Sequence, residues 1–121
     1  MCPGRDSSLG KLGEAWGVEY LRRKGLRILE TNYRSPIGEI DVIAKDGGTY
    51  VFVEIKTRRS IRFGEPVEAV TPAKTRTISR VALAYLKRFE TPPPCRFDVL
   101  CVTGESDRFT AEWIKDAFEF S

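Results

Sequence analysis

Apolar positions along the chain follow two rhythms, and the change from one to the other marks the elements. Leu9, Leu12, Trp16, Tyr20 and Leu21 recur at near-helical spacing between Ser7-Ser8, which can cap, and Gly25, which can terminate. This predicts a first helix. Leu26 to Arg34 reads as a strand, closed by the turn Ser35-Pro36-Ile37-Gly38. The segments Gly38-Glu39-Ile40-Asp41-Val42-Ile43 and Tyr50-Val51-Phe52-Val53-Glu54-Ile55-Lys56 are rich in β-branched and aromatic residues. Between them Asp46-Gly47-Gly48 suits the positive φ angles of a tight hairpin turn. A connecting loop follows from Thr57 to Val70. Thr71-Pro72 then supplies an N-cap and first residue for a second helix, with Ile78, Val81, Ala82, Tyr85, Leu86 and Phe89 facing the core, and Thr91-Pro92-Pro93-Pro94 ends it. Arg96 to Thr103 reads as another strand. Phe109 to Phe120 reads as a short strand with a terminal turn or helix, in which Trp113 and Phe118 tie the end of the chain to the core. The order helix, strand, strand, strand, helix, strand predicts an α/β fold with a mixed central β-sheet flanked by helices.

The hairpin carries acids where a solvated strand does not need them. If Gly47 and Gly48 form a two-residue loop, Asp46 pairs with Thr49, which sets Asp41 opposite Glu54 and Glu39 opposite Lys56, all on one face. Opposed carboxylates have Cβ atoms roughly 5 Å apart and repel. A hard divalent cation would offset that repulsion. Mg²⁺, or Mn²⁺ in its place, takes one or two protein carboxylates and completes its shell with water and phosphate oxygens. Asp41 and Glu54 are the candidate ligands. Lys56, two residues beyond Glu54, reaches the same space and can stabilise charge developing on an attacked phosphate. That combination is chemistry for hydrolysing a phosphodiester. In the competing reading, Glu39 with Lys56 and Asp41 with some other cation are surface ion pairs of little consequence. The neighbours weigh against it: Val42, Ile43, Val51, Phe52, Val53 and Ile55 make both strands apolar enough to lie inside a covered sheet. Charges there are costly unless paired or bound to metal, so such a cluster is a site candidate.

Composition narrows the chemistry further. The 121 residues contain no histidine, which removes the Ser-His-Asp triad, the Cys-His pair and histidine-bound zinc, and leaves carboxylates, lysine and a metal-activated water. Cys2, Cys95 and Cys101 show no close Cys-x-x-Cys spacing, so neither a disulfide framework nor a zinc site is indicated; Cys95 and Cys101 read as small buried hydrophobes. With 41% hydrophobic and 31% charged residues the chain suits a single domain over 1–121, with 1–6 as a flexible lead. No apolar run approaches the roughly 20 residues a membrane span needs, and the first residues lack a signal-type apolar segment, so the expected location is the cytoplasm without membrane partners. Net charge is only +3, but from Lys56 to Arg80 seven cations face two anions. Arg58, Arg59, Arg62, Lys74 and Arg76 are therefore candidate nucleic-acid contacts, with Lys74 near a helix N-terminus that favours phosphate. The bland alternative is a solvated basic loop.

These residues also carry a resemblance. Asp41 followed by Glu54-Ile55-Lys56 resembles the metal-binding core of the PD-(D/E)xK nucleases, the superfamily with the restriction-endonuclease-like fold. Gly10-Lys11-Leu12-Gly13-Glu14, Tyr20-Leu21, Asn32-Tyr33-Arg34, Gly38-Glu39-Ile40-Asp41, Val53-Glu54-Ile55-Lys56, Glu68-Ala69-Val70 with Lys74, and Arg96-Phe97-Asp98-Val99 together resemble the small bacterial YraN-type family, which is similar to Holliday-junction resolvases. The resemblance spans nearly the whole chain. It implies a restriction-endonuclease-like α-β-β-β-α-β core, Asp41 and Glu54 as metal ligands, Lys56 as the catalytic lysine, and Glu14 on the first helix pointing into the same site. Glu14 lies off the main apolar stripe, so a solvated glutamate is the alternative. Gly17 departs from the family, which usually has alanine there; a mid-helix glycine costs about 1 kcal/mol relative to alanine. Asp98 matches a fixed family position, for which an ion pair with a helix arginine is expected. The implied function is endonucleolytic cleavage of DNA, including branched or structured DNA, by a Mg²⁺-dependent homodimer. The alternative is a catalytically silent nucleic-acid-binding module of the same fold.

Overall fold

Both faces of the sheet are covered by helices, which explains why its inner strands read as continuous apolar runs. The computed structural model describes residues 3–59, 70–105 and 108–120, with side chains from residue 9 onward. Elements follow in the order α1 (Pro3–Arg23), β1 (Arg27–Arg34), β2 (Glu39–Asp46), β3 (Thr49–Arg58), α2 (Pro72–Leu86), β4 (Cys95–Glu105) and β5 (Arg108–Phe118). The five strands lie in sequence order in one sheet. Neighbours are antiparallel except β3 and β4, which run parallel because α2 carries the chain back between them. This is the expected mixed α/β core, extended by β5. Along β3 the pleat divides the side chains: Val51, Val53 and Ile55 pack under α1 with Leu21, Leu100 and Val102, whereas Phe52 packs under α2 with Ile78, Val81, Tyr85 and Phe97.

α1 begins at Pro3, so Ser7-Ser8 lie within the helix and not ahead of its first turn. Its C-terminus behaves as expected: Gly25 has φ 109°, the Gly25 N–H donates to the Arg22 carbonyl at 3.0 Å, and the Leu26 N–H donates to the Leu21 carbonyl at 3.1 Å. Leu21 and Leu26 share the core cluster beneath, which completes the Schellman arrangement. Gly13 and Gly17, four apart on the same face, let α1 sit close to the sheet. A Cβ at Gly17 would meet Leu100 Cδ2 at 3.0 Å, and one at Gly13 would meet Thr57 Cγ2 at 2.3 Å. The helix-propensity cost of Gly17 is thus matched by a packing reason, and the same approach brings the residue after Gly13, Glu14, to Asp41 of β2.

α2 opens as expected, with the Thr71 side chain accepting the Lys74 N–H at 3.2 Å and Pro72 in its first turn. It ends at Leu86 instead of Phe89. The next residues tighten into three-residue turns, Arg88 N–H to the Tyr85 carbonyl and Phe89 N–H to the Leu86 carbonyl. Thr57 and Arg58, read from sequence as loop, extend β3, while the rest of that loop lies largely outside the described residues.

The C-terminal segment is one long strand instead of a short strand and turn. Its register against β4 slips between Phe97↔Phe118 and Val99↔Ile114, so Asp98 faces an excess of β5 residues in a bulge that includes Asp116 at φ 55°. The fully buried Asp98 carboxylate holds that bulge together. It accepts the Asp116 N–H at 2.9 Å, the Trp113 Nε1–H at 2.9 Å and the Arg96 Nε–H at 3.0 Å. The expected arginine pair exists, but its partner is Arg96 on the same strand and not a helix residue. Arg96 also reaches Asp46 at the hairpin turn, 3.0 Å away. Trp113 and Phe118 pack as expected, Phe118 stacked on Phe97 with ring centroids 4.9 Å apart.

Asp98→Ala removes one of the two acids that pair with half-buried Arg96 and leaves the Trp113 and Asp116 donors unmet, and is expected to cost about 3 kcal/mol in urea unfolding. Gly13→Ala drives a Cβ into β-branched Thr57, whose own Cβ is 3.0 Å from the added atom. It is expected to cost about 1–2 kcal/mol in the same measurement, although alanine is the better helix former.

Candidate active site

The hairpin forms in the register expected from its glycines. Asp46 pairs with Thr49, Lys45 with Tyr50, Ala44 with Val51, Ile43 with Phe52 and Val42 with Val53, and Gly47 has φ 63°. The paired stretch ends at Val42 and Val53. There the Asp41 side chain takes the place of a ladder carbonyl, its Oδ2 accepting the Ile55 N–H at 2.8 Å. The pleat of β2 slips at the same point, because Ile40 and Ile43 both lie in the α2 cluster although three residues apart. β1 slips with it: Tyr33, paired with Ile40, is in that cluster, and Asn32 before it has φ 52°.

This splay corrects one expectation. Glu39, Asp41, Glu54 and Lys56 do not form one row on one face of a continuous ladder. Glu39 turns to β1, where Arg34 Nε is 3.4 Å from its Oε1, and it makes no described pair with Lys56. Asp41 and Glu54 nonetheless meet, as the register requires. The two carboxyl groups come within hydrogen-bonding reach of each other, and Glu14 reaches in from α1 toward Asp41.

Electrostatics at the cluster are unbalanced. Glu54 is only 7% exposed. Burial, reinforced by the Asp41 charge, pushes its pKa up to about 7, and attraction to Lys74 and Lys56 offsets this only in part. Burial also raises Asp41, against the opposing pull of the Ile55 N–H, the Glu54 bond and Lys74. Glu14 is raised by burial and by Asp41, and held down by a hydrogen bond from the Asn32 side chain. The three acids therefore stay together by sharing protons, or by sharing a cation.

Among the described residues no three such side chains converge tightly enough to hold a metal ion unaided. The donor set still suits one kind of ion. Asp41 and Glu54 offer hard carboxylate oxygens in the number Mg²⁺ ordinarily takes from a protein, with the rest of its octahedron left to water and phosphate. Glu14 stands beside Asp41, where a bound water could link it to the same ion.

The cations divide into those at the cluster and those away from it. Lys74 Nζ is 3.6 Å from Glu54 Oε2, brought there by the capped first turn of α2. Lys56 is half-buried and attracts Glu54. Arg58 is half-buried near the end of β3, and Arg76 is exposed on α2. Arg59 is spent on a surface ion pair with Glu105. Arg62 lies outside the described residues. The local positive excess read from sequence is thus smaller in the fold, because Lys74 and Arg59 already face acids. Sequence reasoning placed Lys74 on phosphate and missed its contact with Glu54. It also missed Asn32, whose only sequence signal is a residue type that tolerates left-handed backbone.

Fold and site together define a small α/β protein with a carboxylate cluster at the point where two central strands separate. Residues 13–102 match the profile of the Uncharacterised protein family UPF0102, and the chain belongs to this family, the YraN-type family its motifs resemble. A UPF0102 protein of Symbiobacterium thermophilum is 50% identical over 112 residues, which cover 91% of this chain and 95% of the relative. One of Syntrophus aciditrophicus is 50% identical over 114 residues (93% and 89%), and one of Chlorobium limicola 48% over 118 residues (92% and 92%). The matched span contains every residue of the cluster and stops before β5.

The raised Glu54 pKa gives stability a defined pH dependence. The folded state keeps a proton that the unfolded chain releases near 4.5, so this contribution is fully present below about pH 4.5 and is lost as pH rises through about 7. Melting of the metal-free protein should fall from about pH 5 to about pH 8, and Glu54→Gln should flatten the profile and raise the melting temperature at the upper end. An unchanged profile in Glu54→Gln would show that the proton is held elsewhere.

Proposed function

We propose that this protein is a metal-dependent phosphodiester hydrolase that cuts nucleic acid, DNA in the first instance, with branched or structured DNA as its preferred form. The observation that carries the reading is the buried Asp41–Glu54 pair at the strand splay, with Lys56 and Lys74 beside it and no histidine anywhere in the chain. A catalytic function explains why two acids are kept in an apolar sheet with lysines as the cations described beside them.

In this reading Asp41 and Glu54 hold Mg²⁺ or Mn²⁺, which when bound supplies the activated water and polarises the scissile phosphate. Asp41 is fixed for that task by the Ile55 N–H, and Glu54 by the rigid central strand. Lys56 faces the phosphate and stabilises the charge that grows on it. Lys74 leaves Glu54 for a phosphate oxygen when substrate arrives, favoured there by the N-terminus of α2. Glu14 orients water at the shell. Arg58 and Arg76 hold the backbone on either side. By the same analogy with resolvases the working form is a cytoplasmic homodimer.

Purified protein incubated with branched, duplex and single-stranded DNA should cleave at least one of them with Mg²⁺ or Mn²⁺ and none with chelator. Asp41→Ala, Glu54→Ala and Lys56→Ala should each lower the rate by about 100-fold or more while leaving the protein folded by circular dichroism. Activity equal to wild type in these variants would sink the assignment. Salt-sensitive DNA binding with no cleavage under either metal would favour the silent binding module instead.

A further inference from the structure

Asn32 is a residue whose backbone and side chain both act on the acid cluster, although it is exposed and on the edge strand β1. Its φ of 52° is a conformation that glycine would adopt more cheaply. Asparagine tolerates it, but at some cost, which points to work done by the side chain. Between the pairs Thr31↔Val42 and Tyr33↔Ile40, Asn32 falls opposite Asp41. The left-handed turn in β1 therefore sits where β2 slips its pleat and frees the Asp41 carboxylate to cap the Ile55 N–H. On its other side Asn32 lines a surface cleft together with Lys11 and Glu14, where its amide comes within reach of the Glu14 carboxylate and favours its charged form.

We infer that Asn32 is a positioning residue that holds Glu14 of α1 against Asp41 and so completes the outer part of the metal site, an inference that rests on the proposed metal-dependent reading of that site. The side chain is suited to the role. An amide presents a donor without adding a charge, so it steadies a carboxylate next to two others where an arginine would compete with the cation and an aspartate would add repulsion. Ala15 and Val18 line the same cleft, small and apolar side chains that leave the amide room beside the Glu14 carboxylate.

The backbone and side-chain roles separate by substitution. Asn32→Gly keeps the left-handed conformation and deletes the amide, whereas Asn32→Ala deletes the amide and strains the backbone. Mn²⁺ binding to the full chain, followed by electron paramagnetic resonance and calorimetry, reads the metal site without relying on turnover. Asn32→Gly should melt within a few degrees of wild type yet bind Mn²⁺ about tenfold more weakly, in the range expected for loss of a group that orients a ligand. Asn32→Ala should show the same weakening with a melting temperature lower by roughly 4–8 °C. In a Glu14→Ala background, Asn32→Gly should add no further loss, because the amide acts through that glutamate. Wild-type affinity in Asn32→Gly, or a full additional loss on top of Glu14→Ala, would overturn the positioning role. If wild type binds Mn²⁺ and Asp41→Asn does not, such a result leaves the hydrolase reading standing. If wild type binds no Mn²⁺ at all, both fall together.

Discussion

The bond from the Ile55 N–H to the Asp41 carboxylate sits where an antiparallel ladder would place a backbone carbonyl, and that exchange organises the rest of the site. A β-strand that leaves its neighbour exposes a row of donors, which a buried sheet cannot leave unmet. Using a side chain to meet the first of them lets β2 and β3 part at Val42 and Val53 without a stranded N–H. Because the acceptor is an acid, the point of separation also becomes a point of negative charge. Glu54 is on the other strand at the same level, so the geometry that ends the pairing is the geometry that brings the two carboxyls into contact.

Everything around this point works to hold it in place. Gly13 and Gly17 allow α1 to lie close on β3 and β4, which lowers Glu14 into reach of Asp41. The capped start of α2 puts Lys74 over Glu54. Asn32 turns β1 in step with β2. The cluster draws on five elements, α1, β1, β2, β3 and α2, so it is assembled only when both helices and these strands of the sheet are all in position.

How much of this could be read from the chain depends on whether a residue acts through its neighbours in sequence or in space. The hairpin register was legible because two adjacent glycines leave few turn geometries, and from it the meeting of Asp41 with Glu54 followed by counting. The cap at Thr71-Pro72 and the stop at Gly25 are likewise local signals. The fate of Glu39 was not legible, because alternation assumes an unbroken pleat and the slip at Asn32 lies on another strand. The long β5 was hidden for a similar reason. Its pattern is interrupted by a bulge whose cause, Asp98, is more than a dozen residues away in sequence. The spread of cations after Lys56 predicted a stronger basic face than the fold retains, since composition does not show that Arg59 meets Glu105.

Asp98 and the Asp41–Glu54 pair form an internal contrast that separates structural acids from candidate catalytic ones. All three are acids held within one apolar sheet. Asp98 is surrounded by donors: an arginine, an indole N–H and a backbone N–H each give it a hydrogen bond at about 3 Å, so its charge is met in full by the protein. Among the described residues Asp41 has one backbone donor and Glu54 has a lysine at 3.6 Å, and the other close neighbours of the pair are mostly acids, each other and Glu14 beside Asp41. A sheet that can neutralise one buried aspartate so thoroughly does not lack the means to neutralise another. Among the described residues the deficit at Asp41 and Glu54 is therefore a property of that place, and it is the kind of deficit that a divalent cation removes: two acids in contact and donors too few to satisfy them.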